Sequence, residues 1–319
     1  MKAASLFGKP LPNGGTIGVA APSSPYFNRS EVLRGVEWWE SQGYRVKLTE
    51  SVWAQDDYVA GSPEIRARDL TAMFADPDVD VVQGLQGGFG AVEVVPMVDY
   101  DVIAANPKAF CGYSDITALH VAMLQRTGLA TFYSNGLMGM GWEKTPQFNK
   151  DRLLSVLRGN TTGEIPRDPE DPYVRAISGG TVSAPIVGGN LHLLLRSVGT
   201  PYEVDLDGAI LFFESVQTPP WILDGDLIQL RDAGKLEGVV GVVVGDMHES
   251  DWSEQRPEWP RTRSLEDVLE KRLGPLGVPV LYKLPLGHAK HLAALPLGVR
   301  ATLDADAGKL TIDQPALRN

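Results

Sequence analysis

Through its first half the chain alternates short apolar runs with stretches of helical spacing. "GGTIGVAAPSSP" (14–25) reads as a buried strand ending in a turn, and "SEVLRGVEWWESQGY" (30–44) as a helix with Ser30 as N-cap and Gly43 near its stop. "YRVKLTE" is the next strand, and "SPEIRARDLTAMFADP" (62–77) an amphipathic helix opening on Ser-Pro. "VDVVQGLQGGFG" (79–90) is a strand running into a glycine-rich turn, and Ala109 to Cys111 another strand before a sharp corner and a helix. Such alternation predicts a parallel sheet with helices on both faces.

Between 142 and 185 the pattern weakens to one short helix and a Pro/Gly/Asp-rich stretch, which suits an interdomain connection or a loop over a site. Beyond it, "GGNLHLLLRSVGT", the strand "DGAILFFES", the helix "DGDLIQLRDAGKL", the strand "VVGVVVGDM", a helix near 264–274 and "VPVLYKLPLGH" predict a second α/β unit. It closes on "VRATLDADAGKLTI", where Asp-Ala-Gly marks a hairpin turn. The expected organisation is an N-terminal domain over 1–165, a linker or loop over 166–184, and a smaller C-terminal domain over 185–319.

Composition narrows the function classes. A 43% hydrophobic and 22% charged chain is ordinary for a globular protein, and a net charge of −11 argues against nucleic-acid partners. The single cysteine, Cys111, forms no internal disulfide and excludes sites built on several thiolates. No apolar run approaches the ~20 residues that span a bilayer, and the first residues lack a signal-peptide core, so a cytoplasmic protein is expected. Neither G-x-x-x-x-G-K-[ST] nor G-x-G-x-x-G occurs, and the histidines show no metal-ligand spacing, so no cofactor and no metal are expected.

The corner Gly112-Tyr113-Ser114-Asp115 carries the most chemistry. A helix starting at a strand's carboxyl end aims N–H groups and the positive end of its dipole at a site, where a serine is placed to attack a carbonyl. Against G-x-S-x-G, Gly112 is present but Ile116 stands at the second glycine, and Ser114 or Asp115 capping the helix is the plainer alternative. Cys111, a rival nucleophile, has apolar neighbours that point to a buried thiol. As base, His120 and His192 read as helix packing. His248 and His288 both follow strong strands and stand level on spacing, with His291 close behind. Glu214, ending an almost unbroken apolar strand, is costly there unless paired and is the candidate acid.

Taken together, "GGTIGVAAPSSP", "VAGSPEIRARDLTAMFADPDVDVV", "GGFGAVEVVPMVDYDVIAANPKAFCGYSDITALH", "IVGGNL", "GAILFFES" and "PLGHAKHLAALPLGVRATLDADAGKLTI" resemble the LD-carboxypeptidase family over residues 14–313. These serine peptidases include murein tetrapeptide carboxypeptidases and microcin C self-immunity proteins. The resemblance implies an N-terminal parallel-sheet domain like that of class I glutamine amidotransferases, a small C-terminal α/β domain, an active site where they meet, and a homodimer. It implies Ser114 as nucleophile, His288 rather than His248 as base, Glu214 as acid, an oxyanion hole at the N–H groups of Gly88 and Asp115, and substrate contacts at Gly87, Tyr113 and Asn190. Murein-cleaving members carry Arg-Gly-Gly-Tyr-Gly at the glycine turn, whereas this chain has Gln86-Gly87-Gly88-Phe89-Gly90. Residues 127–139 also resemble the immunity branch, so a peptidyl or aminoacyl nucleotide is the first expected substrate and an L,D-linked muropeptide the second. Trp142 and Tyr173 are candidates for stacking on a nucleobase. A catalytically silent ligand-binding protein on the same scaffold is a further alternative, against which the three triad residues together speak.

Overall fold

A computed structural model of the chain describes residues 3–250 and 263–318. Its strands are β1 (Thr16–Ala20), β2 (Arg45–Leu48), β3 (Val81–Gly84), β4 (Ala109–Gly112), β5 (Thr131–Tyr133), β6 (Gly163–Glu164), β7 (Arg175–Ser178), β8 (Thr181–Asn190), β9 (Ile210–Val216), β10 (Gly241–His248), β11 (Val280–Tyr282), β12 (Leu295–Leu297), β13 (Arg300–Asp304) and β14 (Lys309–Ile312). The helices are α1 (Arg29–Ser41), α2 (Pro63–Ala75), α3 (Ala91–Val94), α4 (Tyr100–Ala105), α5 (Thr117–Thr127), α6 (Leu137–Gly141), α7 (Gln147–Leu157), α8 (Leu191–Ser197), α9 (Pro220–Asp232) and α10 (Leu265–Leu273). None of them is long and apolar enough to cross a membrane, among the described residues.

Two sheets organise the fold. The first runs β12-β5-β4-β3-β1-β2, with β1 to β5 parallel, as the strand-helix alternation predicts. Its inner strands β1, β3 and β4 are buried on both faces, so they read as continuous apolar runs, whereas the edge strand β2 is half-exposed and alternates. The edge strand β12 comes from the far end of the chain and pairs antiparallel with β5. Sequence reading misses it because Pro296 sits mid-strand, a position proline tolerates only at a sheet edge.

The second sheet runs β6-β14-β13-β8-β9-β10-β11-β7. Strand β8 serves two ladders: Thr181–Pro185 pairs antiparallel with β13, and Ile186–Asn190 pairs parallel with β9. The stretch 166–184 therefore holds β7 and the start of β8 as well as loop. Its turn-forming composition belongs to the residues before Arg175, and β7 is a half-exposed edge strand with a weak apolar signal.

Local signals explain the helix starts. Ser62 caps α2 and Pro63 occupies its first turn. Asn28, not Ser30, caps α1, its side chain accepting the Ser30 N–H. Ser264 and Asp267 form a capping box on α10. One continuous apolar core runs from the first sheet into the second, with Phe132, Phe212 and Leu295 among its members. Strands β4 and β9, which lead to Ser114 and carry Glu214, are thereby held in one packed body.

Candidate active site

Three side chains from three distant segments meet at the junction of the sheets. His288 Nε2 lies 3.1 Å from Ser114 Oγ, and His288 Nδ1 lies 2.5 Å from Glu214 Oε2. Ser114 follows β4, Glu214 lies in the second half of β9, and His288 sits in the loop after β11. Ser114 and His288 are 174 residues apart in sequence.

Ser114 is not a helix cap. It opens a 3-10 turn that runs into α5, and neither the turn nor α5 has a side-chain cap bond at its start. Its φ of 61° is left-handed, uncommon for a residue with a Cβ and costing on the order of 1–3 kcal/mol. That corner turns Oγ away from the helix and toward His288. Asp115 does cap a helix, but another one: its Oδ2 accepts from Ala91 N–H at the start of α3 and from Ser23 Oγ at 2.5 Å. Burial pushes the Asp115 carboxyl above its usual range, against these two hydrogen bonds.

Glu214 is fully buried, and every donor around it is accounted for. Oε1 accepts from Tyr133 Oη (2.7 Å) and Asn190 Nδ2 (3.0 Å), while Oε2 faces His288 Nδ1. A carboxylate here is tolerated because three donors replace its hydration. The loop carrying His288 closes onto it through Gly287, whose φ is 115°. A Cβ at Gly287 would stand 2.7 Å from three Glu214 atoms, so glycine alone lets the loop approach.

His288 is pulled two ways. Burial lowers its pKa, but the charge and hydrogen bond of Glu214, with Asp246 adding its charge, outweigh that and raise it above the ordinary histidine value. The expected dispositions of the other histidines follow their partners. His248 lies 3.4 Å from Asp246 and away from Ser114; His291 lies 2.8 Å from Asp168 and packs on Phe148. His120 is buried with Nε2 3.0 Å from the Gly112 carbonyl, its pKa pushed down to about 4 by burial. Cys111 is buried and its thiol pushed up to about 12, which makes it inert.

Tyr133 is a member of this network that sequence reading missed. Its hydroxyl accepts the Ser114 N–H (2.9 Å) and donates to Glu214, tying the nucleophile's backbone to the acid. Lying in a three-residue strand, it reads as one more core aromatic. Asn190, expected at the substrate, commits its Nδ2 to Glu214. Its N–H donates to Thr117 Oγ1 on α5, which pins the start of α8 to the helix behind Ser114.

A cavity of about 690 Å³ opens over Ser114 and His288. The glycine turn forms one wall: a Cβ at Gly87 would lie 2.7 Å from Ser114 Cβ and 3.2 Å from its Oγ. Tyr113 lies beside His288 with the rings tilted 48° to each other and their centroids 5.2 Å apart. Phe27 and Phe89 stand exposed at the rim. An adjoining cavity of about 300 Å³ shares Phe27, Gln86 and Tyr113 and reaches Trp142. Tyr173 lines a separate cleft with Lys283 and Glu270, so it does not share the Ser114 cavity.

Residues 17–134 match the LD-carboxypeptidase N-terminal domain, and residues 183–303 the LD-carboxypeptidase C-terminal domain. A probable murein peptide carboxypeptidase of Bacillus subtilis is 34% identical over 93% of this chain and 91% of its own. The microcin C7 self-immunity protein of Escherichia coli is 26% identical over 98% of this chain and 97% of its own. Among solved structures, the wild-type form of a microcin C7 self-immunity protein without ligand superposes with a TM-score of 0.87 at 25% identity, covering 98% of this chain and 100% of that one. A muramoyltetrapeptide carboxypeptidase from Oxalobacter formigenes gives 0.81 at 26% identity, covering 94% and 99%.

Proposed function

Because this chain belongs to the LD-carboxypeptidase family of serine peptidases, we propose that it cleaves an amide bond near a substrate's carboxyl end through Ser114, His288 and Glu214. The observation that carries this reading is the unbroken line Ser114 Oγ, His288, Glu214, at 3.1 and 2.5 Å. In it, His288 Nε2 takes the Ser114 proton as Oγ attacks the carbonyl carbon. The oxyanion forms against the N–H groups of Gly88 and Asp115, on the glycine turn and the 3-10 turn that Ser114 opens. His288 then passes its proton to the departing amine, and water, deprotonated by the same nitrogen, releases the acyl group. Glu214 holds the tautomer and balances the imidazolium.

For the substrate we favour a peptidyl or aminoacyl nucleotide of the microcin C kind. Exposed Phe27 and Phe89 and the adjoining Trp142 supply faces for a base, and Gln86, whose side-chain amide donates to the Pro25 carbonyl, leaves the glycine turn without a fixed charge. An L,D-linked muropeptide is the second reading, favoured by the murein-type relative at higher identity. A homodimer belongs to the same reading. The test is turnover of glutamyl sulfamoyl guanosine and of muramoyl tetrapeptide, followed by chromatography of the released amino acid. Hydrolysis of the nucleotide conjugate alone supports the first reading, of the tetrapeptide alone the second; hydrolysis of neither contradicts both.

Two further results are expected. His288 must be neutral to accept a proton, so kcat/KM falls as pH drops through its pKa. With that pKa raised, the acid limb of the pH–rate profile lies above the ordinary value of about 6.5. A limb well below that value contradicts the assignment. Tyr133→Phe leaves the Ser114 N–H without its acceptor and removes one of Glu214's donors. It is expected to lower kcat about 10- to 100-fold with KM nearly unchanged, and to reduce stability by about 1–3 kcal/mol in denaturant unfolding. Unchanged kcat shows that the hydroxyl serves packing alone.

A further inference from the structure

The cavity over Ser114 is lined by a cation that has no ion-pair partner among the described residues. Helix α8 starts directly after Asn190, and His192, Leu193 and Arg196, one turn apart, line that cavity together. His192 is engaged, its Nε2 3.0 Å from Asp226. Arg196 is exposed to the open cavity and makes no hydrogen bond or ion pair with any described residue. Its charge reaches Asp115, but that carboxyl is already bonded to Ser23 and Ala91, and no Asp or Glu lines the cavity among the described residues. Seven of the described arginines hold a carboxylate within 4.0 Å, whereas Arg196 faces open space beside Ser114.

We propose that Arg196 binds a carboxylate of the substrate in the Ser114 cavity. The inference rests on reading that cavity as the hydrolytic site, and it names what the cavity selects. A planar guanidinium presents paired N–H donors that match a carboxylate bidentately. Phe27, Phe89 and Leu193 line the same cavity and offer apolar surface to the rest of the substrate. Gln86 cannot replace the guanidinium, being neutral. The carboxylate has two possible sources: the terminal carboxyl of a peptide's leaving residue, or an acidic side chain on an acyl nucleotide.

The test uses Ser114→Ala protein, so that binding is read without turnover, and two matched pairs of probes. One pair is muramoyl tetrapeptide and its C-terminal carboxamide; the other is glutamyl sulfamoyl guanosine and its glutaminyl counterpart. Calorimetry is expected to show the acid of one pair binding about 10- to 100-fold more tightly than its amide. Adding Arg196→Ala erases that preference and Arg196→Lys restores part of it; the responding pair identifies the source of the carboxylate. Equal binding of acid and amide in both pairs, no binding of any probe, or a preference that survives Arg196→Ala overturns the assignment. These outcomes stand apart from the fate of the hydrolytic reading, which falls only if otherwise wild-type protein carrying Ser114→Ala hydrolyses as fast as wild type, or if wild type hydrolyses neither acid.

Discussion

Replacing Ser114 by alanine is expected to lower kcat by about 10⁵- to 10⁶-fold while leaving the protein folded and able to bind substrate. The size of the effect follows from what is removed. The hydroxyl is the group placed 3.1 Å from a histidine nitrogen and held at a left-handed corner facing the cavity. The other candidate nucleophile, Cys111, is buried within β4 with its thiol pushed up to about 12, so no substitute is at hand. Alanine loses one hydrogen bond and leaves the Ser114 N–H on Tyr133 in place, so denaturant unfolding should change by less than about 1.5 kcal/mol. Activity within tenfold of wild type contradicts the nucleophile assignment.

Glu214→Gln is expected to lower kcat about 10⁴-fold with little effect on KM. A carboxylate accepts at both oxygens, and here three donors converge on it: Tyr133 Oη, Asn190 Nδ2 and His288 Nδ1. Glutamine offers one oxygen and one NH2. If the oxygen faces His288, the NH2 meets the Tyr133 and Asn190 donors head-on. If it faces the other way, His288 must accept at Nδ1, which puts the imidazole proton on Nε2, the atom that has to take the Ser114 proton. Either arrangement costs, and the second stops the chemistry. The loss of negative charge also leaves burial as the main influence on His288, so its pKa, followed by NMR, should fall relative to wild type. A Glu214→Gln enzyme with near-normal kcat contradicts the role given to the acid.

The three members of the proposed catalytic line were not equally legible in the sequence. Ser114 and Glu214 stand out because each interrupts or ends an apolar strand run, where a polar residue is costly without a purpose. The histidine was not decidable from spacing. His248 directly ends a strong strand, while His288 reaches Ser114 only because the loop after β11 turns back at Lys283 (φ 77°) and Gly287 (φ 115°). Backbone reversals of that kind leave little trace in hydrophobic periodicity, and the resemblance to a family supplied the choice instead.

The parallel core of the first sheet was read correctly because strands buried on both faces are continuous apolar runs flanked by helical spacing. β12 and β7 escaped notice, one because of Pro296 and the other because a half-exposed edge strand has little apolar pattern. Tyr133 and Arg196 show the same limit at the level of side chains. An aromatic in a short strand and a basic residue in a helix's last turn each have an ordinary explanation, and only their neighbours in space make them more than that.

A nucleophile placed beside a histidine and facing an open cavity is the atom that a phosphonylating reagent captures. Incubation with a fluorophosphonate, followed by intact-mass measurement and peptide mapping, should show a single adduct on Ser114. Labelling should slow by orders of magnitude in His288→Ala and vanish in Ser114→Ala. An adduct on any other residue, or unchanged labelling of the Ser114→Ala protein, would contradict that assignment.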